Sequence, residues 1–221
     1  MNFRGILLDL DGTLVNSLDF VEASWSLWAT KKGLDVWGVC DYLHGKTALN
    51  TLRHFMPDAS EQTIIEEFTA LEAFEARNTD GITAVDGAVD FLRRLEQLQV
   101  PWAIVTSGSL KVASARIRRA GFPSPPVLVT SEDIVKGKPH PEPFLIGASR
   151  LNLSPANCLA FEDSIAGLLS ATEAGCAVVE VLTRQSSVHD IDTWQTIDRY
   201  LGLSVTRQGE ADFFLKISRE F

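Results

Sequence analysis

Four short polar stretches bring carboxylates, hydroxyls and an amine to positions where they can do chemistry: Asp9-Leu10-Asp11-Gly12-Thr13, Thr106-Ser107-Gly108-Ser109, Lys136-Gly137-Lys138-Pro139 and Glu162-Asp163-Ser164. Carboxylates that share a pocket do not ionise together without a compensating cation, so Asp9 with Asp163 points to a hard divalent metal, Mg2+ first. Beside such a cation Asp9 can attack an electrophilic phosphorus, while Asp11 exchanges a proton with the leaving or attacking oxygen. The product of that attack is a covalent aspartyl-phosphate. Lys138 supplies a point charge for the phosphate, and the Thr106 hydroxyl and the amides around Ser107 and Gly108 offer donors to its oxygens.

Each stretch has a simpler reading. Asp-x-Asp-Gly is most often a turn. A calcium loop of the EF-hand kind needs glycine at its sixth position, which here is Leu14, with Gly12 at the fourth, so that template fails. Ser109 is expected to cap the helix that follows it, and Lys138 before a proline can be a solvated surface residue. Glu162-Asp163 can be an acidic helix entry favoured by the helix dipole. What outweighs these readings is their coincidence, with each polar cluster placed after an apolar run in one chain.

Those runs are the elements that must position the site. Phe3 to Leu10, Trp102 to Thr106, Val127 to Thr130, Cys158 to Phe161 and Ala177 to Val181 are short and apolar, as buried parallel strands are. Helical stripes separate them, among them Val89, Leu92, Leu95 and Leu98, and then Ile165, Leu168, Leu169 and Thr172 before Gly175. The alternation predicts a doubly wound α/β sheet, Rossmann-like, in which loops at the carboxyl ends of the strands converge on one crevice. Residues 17–80 break it: only helical stripes occur there (Leu18, Val21, Trp25, Trp28; Leu49, Leu52, Phe55; Ile64, Phe68, Leu71), ending at the turn-like Asn78-Thr79-Asp80-Gly81. We read a helical insertion over 17–80 in a core of 1–16 and 81–221. Trp25 and Trp28 keep the spacing of a buried stripe and are expected in the core of the insertion. Leu203 to Thr206 and Asp212 to Ile217 are expected to pair as a hairpin.

The 221 residues suffice for one large domain or a domain with an insertion, and 45% hydrophobic with 22% charged residues is ordinary for a folded chain. Twenty Lys and Arg against 29 Asp and Glu give a net charge of −9, which argues against nucleic-acid or anionic-membrane partners and leaves a small phosphorylated molecule as the expected one. Cys40, Cys158 and Cys176 are odd in number and widely spaced, suggesting neither a disulfide framework nor a zinc site. With no apolar run long enough for a signal peptide or a membrane span, a cytoplasmic monomer is expected.

Taken together, the four stretches resemble the motifs of the haloacid dehalogenase-like hydrolase superfamily, in its branch with a helical cap inserted after the first strand. The resemblance covers nearly the whole chain. It implies that Asp9 is the nucleophile and a metal ligand. Asp11 would be the acid/base and lend a backbone carbonyl to Mg2+, with Asp163 a metal ligand and Glu162 an additional or supporting one. Thr106, Ser107 and Lys138 would bind phosphate. The stretches around Thr106 and Lys138, with His44-Gly45-Lys46 and Leu52-Arg53-His54-Phe55, look like those of bacterial sugar phosphatases of the 2-deoxyglucose-6-phosphate and hexitol phosphatase kind. That likeness implies a Mg2+-dependent phosphatase acting on a sugar or polyol phosphate, with His44, Lys46 and Arg53 as candidate specificity residues on the cap. Dehalogenation has no use for Asp11 or a metal; a phosphomutase of the same family and a non-catalytic sugar-phosphate binder are the alternatives. Two positions depart from the family pattern: Asn16, where an acidic residue is common, and Asp86, where a proline often precedes Gly87-Ala88.

Overall fold

The computed structural model describes residues 1–182 and 189–217. In chain order the N-terminal part runs β1 (Asn2–Phe3), β2 (Gly5–Leu8), β3 (Val15–Asn16), α1 (Leu18–Lys32), α2 (Val36–Leu43), α3 (Ala48–Phe55), α4 (Glu61–Arg77) and β4 (Thr83–Ala84). The remainder runs α5 (Ala88–Gln97), β5 (Trp102–Val105), α6 (Leu110–Ala120), β6 (Val127–Val129), α7 (Glu142–Arg150), β7 (Cys158–Glu162), α8 (Ile165–Glu173), β8 (Ala177–Val181), β9 (Gln195–Ile197), β10 (Leu203–Arg207) and β11 (Phe213–Ile217).

Six strands form one parallel sheet in the order β6-β5-β2-β7-β8-β9. The central strands are buried along their whole length, which is why they read as unbroken apolar runs rather than alternating ones. One face packs Ile6, Leu8, Ile104, Leu159 and Phe161 against Phe91, Leu92 and Leu95 of α5. The other packs Leu7, Ala103, Val105 and Ala160 against Phe144 and Ala148 of α7 and Leu168 and Ala171 of α8. Helices on both faces make this the expected doubly wound α/β fold.

The helices α1 to α4 form the cap, with a core of its own built from Trp25, Trp28, Ala29, Val39, Leu43, Leu52, Ile64 and Leu71. Each of three cap helices opens on a side-chain cap: Asp35 accepts from the Gly38 amide, Thr47 from Asn50 and Ser60 from Thr63. Trp25 and Trp28 meet edge-on at 5.4 Å inside it. The chain enters and leaves the cap through β3 and β4, which pair antiparallel. Asn16 explains its departure here, since its amide donates across this ribbon to Thr83 Oγ1 and the Ala84 carbonyl, both at 3.3 Å, as a carboxylate could not.

One expectation needs correction. The run from Phe3 to Leu10 is not a single strand: the chain bends at Arg4, and Asn2–Phe3 pairs antiparallel with β11, while only Gly5–Leu8 enters the parallel sheet. Phe3 stacks on Phe213 at 5.8 Å. The expected hairpin of β10 and β11 is present and gains β1 as a third strand.

Candidate active site

The polar clusters all follow the carboxyl ends of sheet strands. The Asp9 amide makes the last ladder bond to the Phe161 carbonyl at 3.0 Å, and the Thr106 amide does the same with Val129 at 2.9 Å. Asp9 is thereby fixed beside the end of β7, and Thr106 beside the end of β6. Gly12 turns the chain with φ +86°, and a Cβ there would collide with the Asp163 carboxylate, so only glycine lets the first loop close over the fourth. Thr13 Oγ1 then donates to Asp163 Oδ1 at 3.0 Å.

At the floor, Lys138 is fully buried and its ammonium donates to Asp9 Oδ1 at 2.6 Å, Glu162 Oε1 at 2.6 Å and the Val105 carbonyl at 3.1 Å. The simple reading of Lys138 as a surface residue is excluded. Glu162 Oε2 accepts from the Asp163 amide at 2.8 Å, the Ser164 amide at 2.9 Å and the Ser164 hydroxyl at 3.1 Å. Both Glu162 oxygens are thus engaged, and its place is to anchor Lys138. Carboxylate oxygens of Asp9, Glu162 and Asp163 lie within 4.8 Å of one another.

Burial is the main cause that pushes the Asp9 carboxyl up, to about 8, with Glu162 adding to it and Lys138 pulling back. Asp163 is raised well above the ordinary carboxylate range by burial and by Glu162 and Asp9. Burial alone would lower Lys138, but Asp9 and Glu162 hold its pKa above the usual lysine value. Three buried carboxylates face one ammonium, so the cluster holds a proton or needs a further cation. Oxygen donors this close, hard and anionic are the set that Mg2+ takes.

Above the floor a cavity lies between core and cap, lined by Asp9, Asp11, Thr106, Ser107 and Asp163 below and by Trp25, His44, Lys46 and Phe68 above. Gly108 donates to Thr106 Oγ1 at 3.0 Å, and Ser109 caps α6 as expected, accepting from Val112. Ser107 reaches upward instead, donating to the Gly45 carbonyl at 2.8 Å. Gly45, at φ +74°, passes so close to Ser164 that a Cβ would strike its hydroxyl; this seats the His44-Gly45-Lys46 turn directly on the core loops.

The specificity candidates divide. His44 and Lys46 line the cavity. His44 Nε2 shares a 3.0 Å hydrogen bond with Glu22, and the Lys46 ammonium donates to the Tyr42 carbonyl at 2.7 Å and lies 4.1 Å from the centre of its ring. Arg53 does not join them: it pairs with Glu61 on the outside of the cap, half exposed, and contributes nothing to the cavity lining. Arg53 stands two residues before Phe55, which packs on the cap core, and so falls on the opposite side of α3.

Two residues were missed by sequence reasoning. Arg116 of α6 is buried and places Nη1 2.6 Å from Asp11 Oδ2 and Nη2 2.8 Å from Glu75 Oε2 of α4. The signal was present in the helical phase: Arg116 follows Val112 and Ala113 by four and three residues, and Glu75 follows Leu71 by four, so each is a charge on an apolar stripe.

A family profile of haloacid dehalogenase-like hydrolases matches residues 3–175, and the chain belongs to that family of hydrolases. Among its relatives, hexitol phosphatase A of Escherichia coli (strain K12) is 45% identical over 98% of this chain and 100% of its own length. Validoxylamine A 7'-phosphate phosphatase of Streptomyces hygroscopicus subsp. limoneus is 30% identical over 89% and 92%. Among solved structures, CbbY from Rhodobacter sphaeroides in complex with phosphate shares the fold at TM-score 0.75 and 21% identity, over 90% of this chain and 95% of that one.

Proposed function

We propose that the protein is a Mg2+-dependent phosphatase of small phosphorylated metabolites, with a hexitol or related polyol phosphate as substrate. The observation that carries this reading is the Asp9–Lys138–Glu162 cluster at the floor of a cavity roofed by the cap, joined to 45% identity with a hexitol phosphatase along the full chain. Asp9 Oδ is the nucleophile, Asp11 the proton carrier, and Thr106, the backbone amide of Ser107 and Lys138 bind the phosphoryl oxygens, the Ser107 hydroxyl being engaged with the Gly45 carbonyl. Asp9 and Asp163, with the Asp11 backbone, would hold Mg2+, which when bound balances the carboxylates and the incoming phosphate. Glu162 keeps Lys138 charged and aimed at Asp9. The helices over residues 17–80 exclude water and recognise the leaving group through the cavity-facing His44 and Lys46. Lys46, whose ammonium burial pulls below the ordinary lysine range, is the cap donor best placed to take a hydroxyl.

The test is a panel of hexitol, hexose and nucleotide phosphates ranked by kcat/KM with Mg2+, for wild type and Asp9→Asn. Expected is a preference for polyol or sugar phosphates in wild type, and loss of at least about 10³-fold in Asp9→Asn with unchanged circular dichroism. Near-wild-type turnover in the folded variant removes Asp9 as nucleophile, and a nucleotide preference removes the substrate class.

A further inference from the structure

Asp11 is held from two sides. Ser17 Oγ donates to Oδ1 at 2.6 Å, and Arg116 Nη1 pairs with Oδ2 at 2.6 Å. A carboxyl whose two oxygens both accept from the protein is fixed in orientation, each oxygen keeping a further lone pair for a reacting group. Arg116 itself is only 3% exposed, and its Nε is buried with no hydrogen-bond partner among the described residues. Burying a guanidinium with an unpaired donor between α4 and α6 costs stability that an apolar residue on this stripe would not. Its two paired arms join the proton carrier of the core to Glu75 of the cap, which fixes them only where the cap is seated.

We infer that Arg116 is a positioning residue for the second half of the reaction: it holds Asp11 to accept a proton from the water that opens the aspartyl-phosphate. This rests on the roles given above to Asp9 and Asp11. In that step the water oxygen bonds to phosphorus as the bond between phosphorus and Asp9 Oδ breaks. The proton of the water passes to Asp11, and Asp9 leaves as a carboxylate beside inorganic phosphate. The proton then on Asp11 is the one owed to the alkoxide of the next substrate, so atoms and charge balance over the cycle.

The substrate that isolates this step is p-nitrophenyl phosphate, whose leaving group departs without a proton, so that kcat/KM reports attack by Asp9 alone. Wild type, Asp11→Asn, Arg116→Gln, Arg116→Lys and the Asp11→Asn/Arg116→Gln double variant are compared in Mg2+ by stopped flow. For Arg116→Gln the expectation is a kcat lower by about 30-fold or more and kcat/KM within about threefold of wild type, a share of what a positioned base contributes. A burst of p-nitrophenolate close to one per active site should appear as the phosphoenzyme accumulates. The second substitution should add little to Asp11→Asn, because both act through one carboxylate. Arg116→Lys, which keeps a buried cation without the two-armed fork, should show the same pattern less deeply, and it carries the test if circular dichroism shows the glutamine variant unfolded.

Equal falls in kcat and kcat/KM without a burst would make Arg116 a clasp between cap and core and overturn the inference, as would losses that multiply in the double variant. Wild-type kcat in Asp11→Asn would overturn it at its root, in the role given to Asp11.

Discussion

Two carboxylate centres, Glu67 in the cap and the Asp9–Asp163 pair in the core, are held in opposite ways. In the cap, Glu67 accepts from the Lys32 ammonium at 2.6 Å and from Trp28 Nε1 at 2.9 Å, and these bonds, Lys32 first, hold its pKa below the usual range. In the core, burial drives Asp9 and Asp163 the other way. The first arrangement favours the folded state at neutral pH. The second disfavours it until something positive arrives, and a fold tolerates such a centre where function requires it.

The sharpest way to break that contrast is to remove the cation. Chelation is expected to abolish phosphatase turnover, and Mg2+ to restore it, because Asp9 cannot be an unprotonated nucleophile among uncompensated carboxylates. The same centre sets a pH dependence with a definite sign. An acid whose pKa is raised on folding keeps a proton in the folded chain that the unfolded chain has released, so its contribution to stability is full below the unfolded value of roughly 4. That contribution fades as pH rises through the folded value, about 8 for Asp9. The chelated protein should therefore melt lower at pH 8 than at pH 6 on account of this cluster. Mg2+ displaces those protons, so the gain in Tm should be larger at pH 8. At a hundredfold excess over Kd the gain is about 2.7 kcal/mol, or roughly 5–10 °C for a chain of this size. Equal gains at both pH values, or none, would mean that the acidic cluster does not take the ion.

A smaller effect sharpens the contrast within the cap. His44→Ala and Lys46→Ala are expected to lower kcat/KM for a hexitol phosphate by about 10–150-fold, the cost of one hydrogen bond to a charged group. Turnover of p-nitrophenyl phosphate, whose leaving group offers no hydroxyl to the cap, should change little. Arg53→Ala should leave both substrates within about twofold, because an exposed ion pair contributes little. Equal losses on both substrates in the His44 and Lys46 variants would reassign the turn to seating the cap.

What was legible in the sequence follows from what each signal encodes. Buried parallel strands read as apolar runs, so the sheet and the polar residues at its strand ends, Asp9, Thr106 and Glu162-Asp163, were visible together. Apolar character does not say which partner a strand takes, and so Asn2–Phe3 appeared to continue into Gly5–Leu8 when it pairs with β11. Lys138 was legible in type, but its complete burial was not, because the two carboxylates that compensate it lie 129 and 24 residues away in the chain. Arg53 and Arg116 show the limit from both sides. A cationic residue in a cap turn suggests substrate binding, yet Arg53 faces solvent. A cationic residue on a core helix beside Arg118 and Arg119 suggests a solvated face, yet Arg116 alone falls on the stripe of Val112 and Ala113. Helical phase, rather than residue type or loop position, separated them.

The smallest effect tests whether the Glu67–Lys32 pair does no more than stabilise the cap. Glu67 is about one-fifth exposed, so solvent screens its pairing with Lys32, and Glu67→Gln should cost about 0.5–1 kcal/mol at pH 7, as partly exposed pairs do. The sign is opposite to that of the core. A carboxyl whose pKa is lowered on folding adds stability above its unfolded value of about 4.3 and loses it as pH falls through the lower, folded one. The difference in Tm between wild type and Glu67→Gln should therefore be present at pH 7 and shrink towards pH 3, while kcat/KM on either substrate stays within about twofold. A variant that lost activity without losing stability would show that the Trp28–Glu67–Lys32 group reaches the cavity, where Trp25 touches both it and the cap lining, and the division of labour between cap and core charges would have to be redrawn.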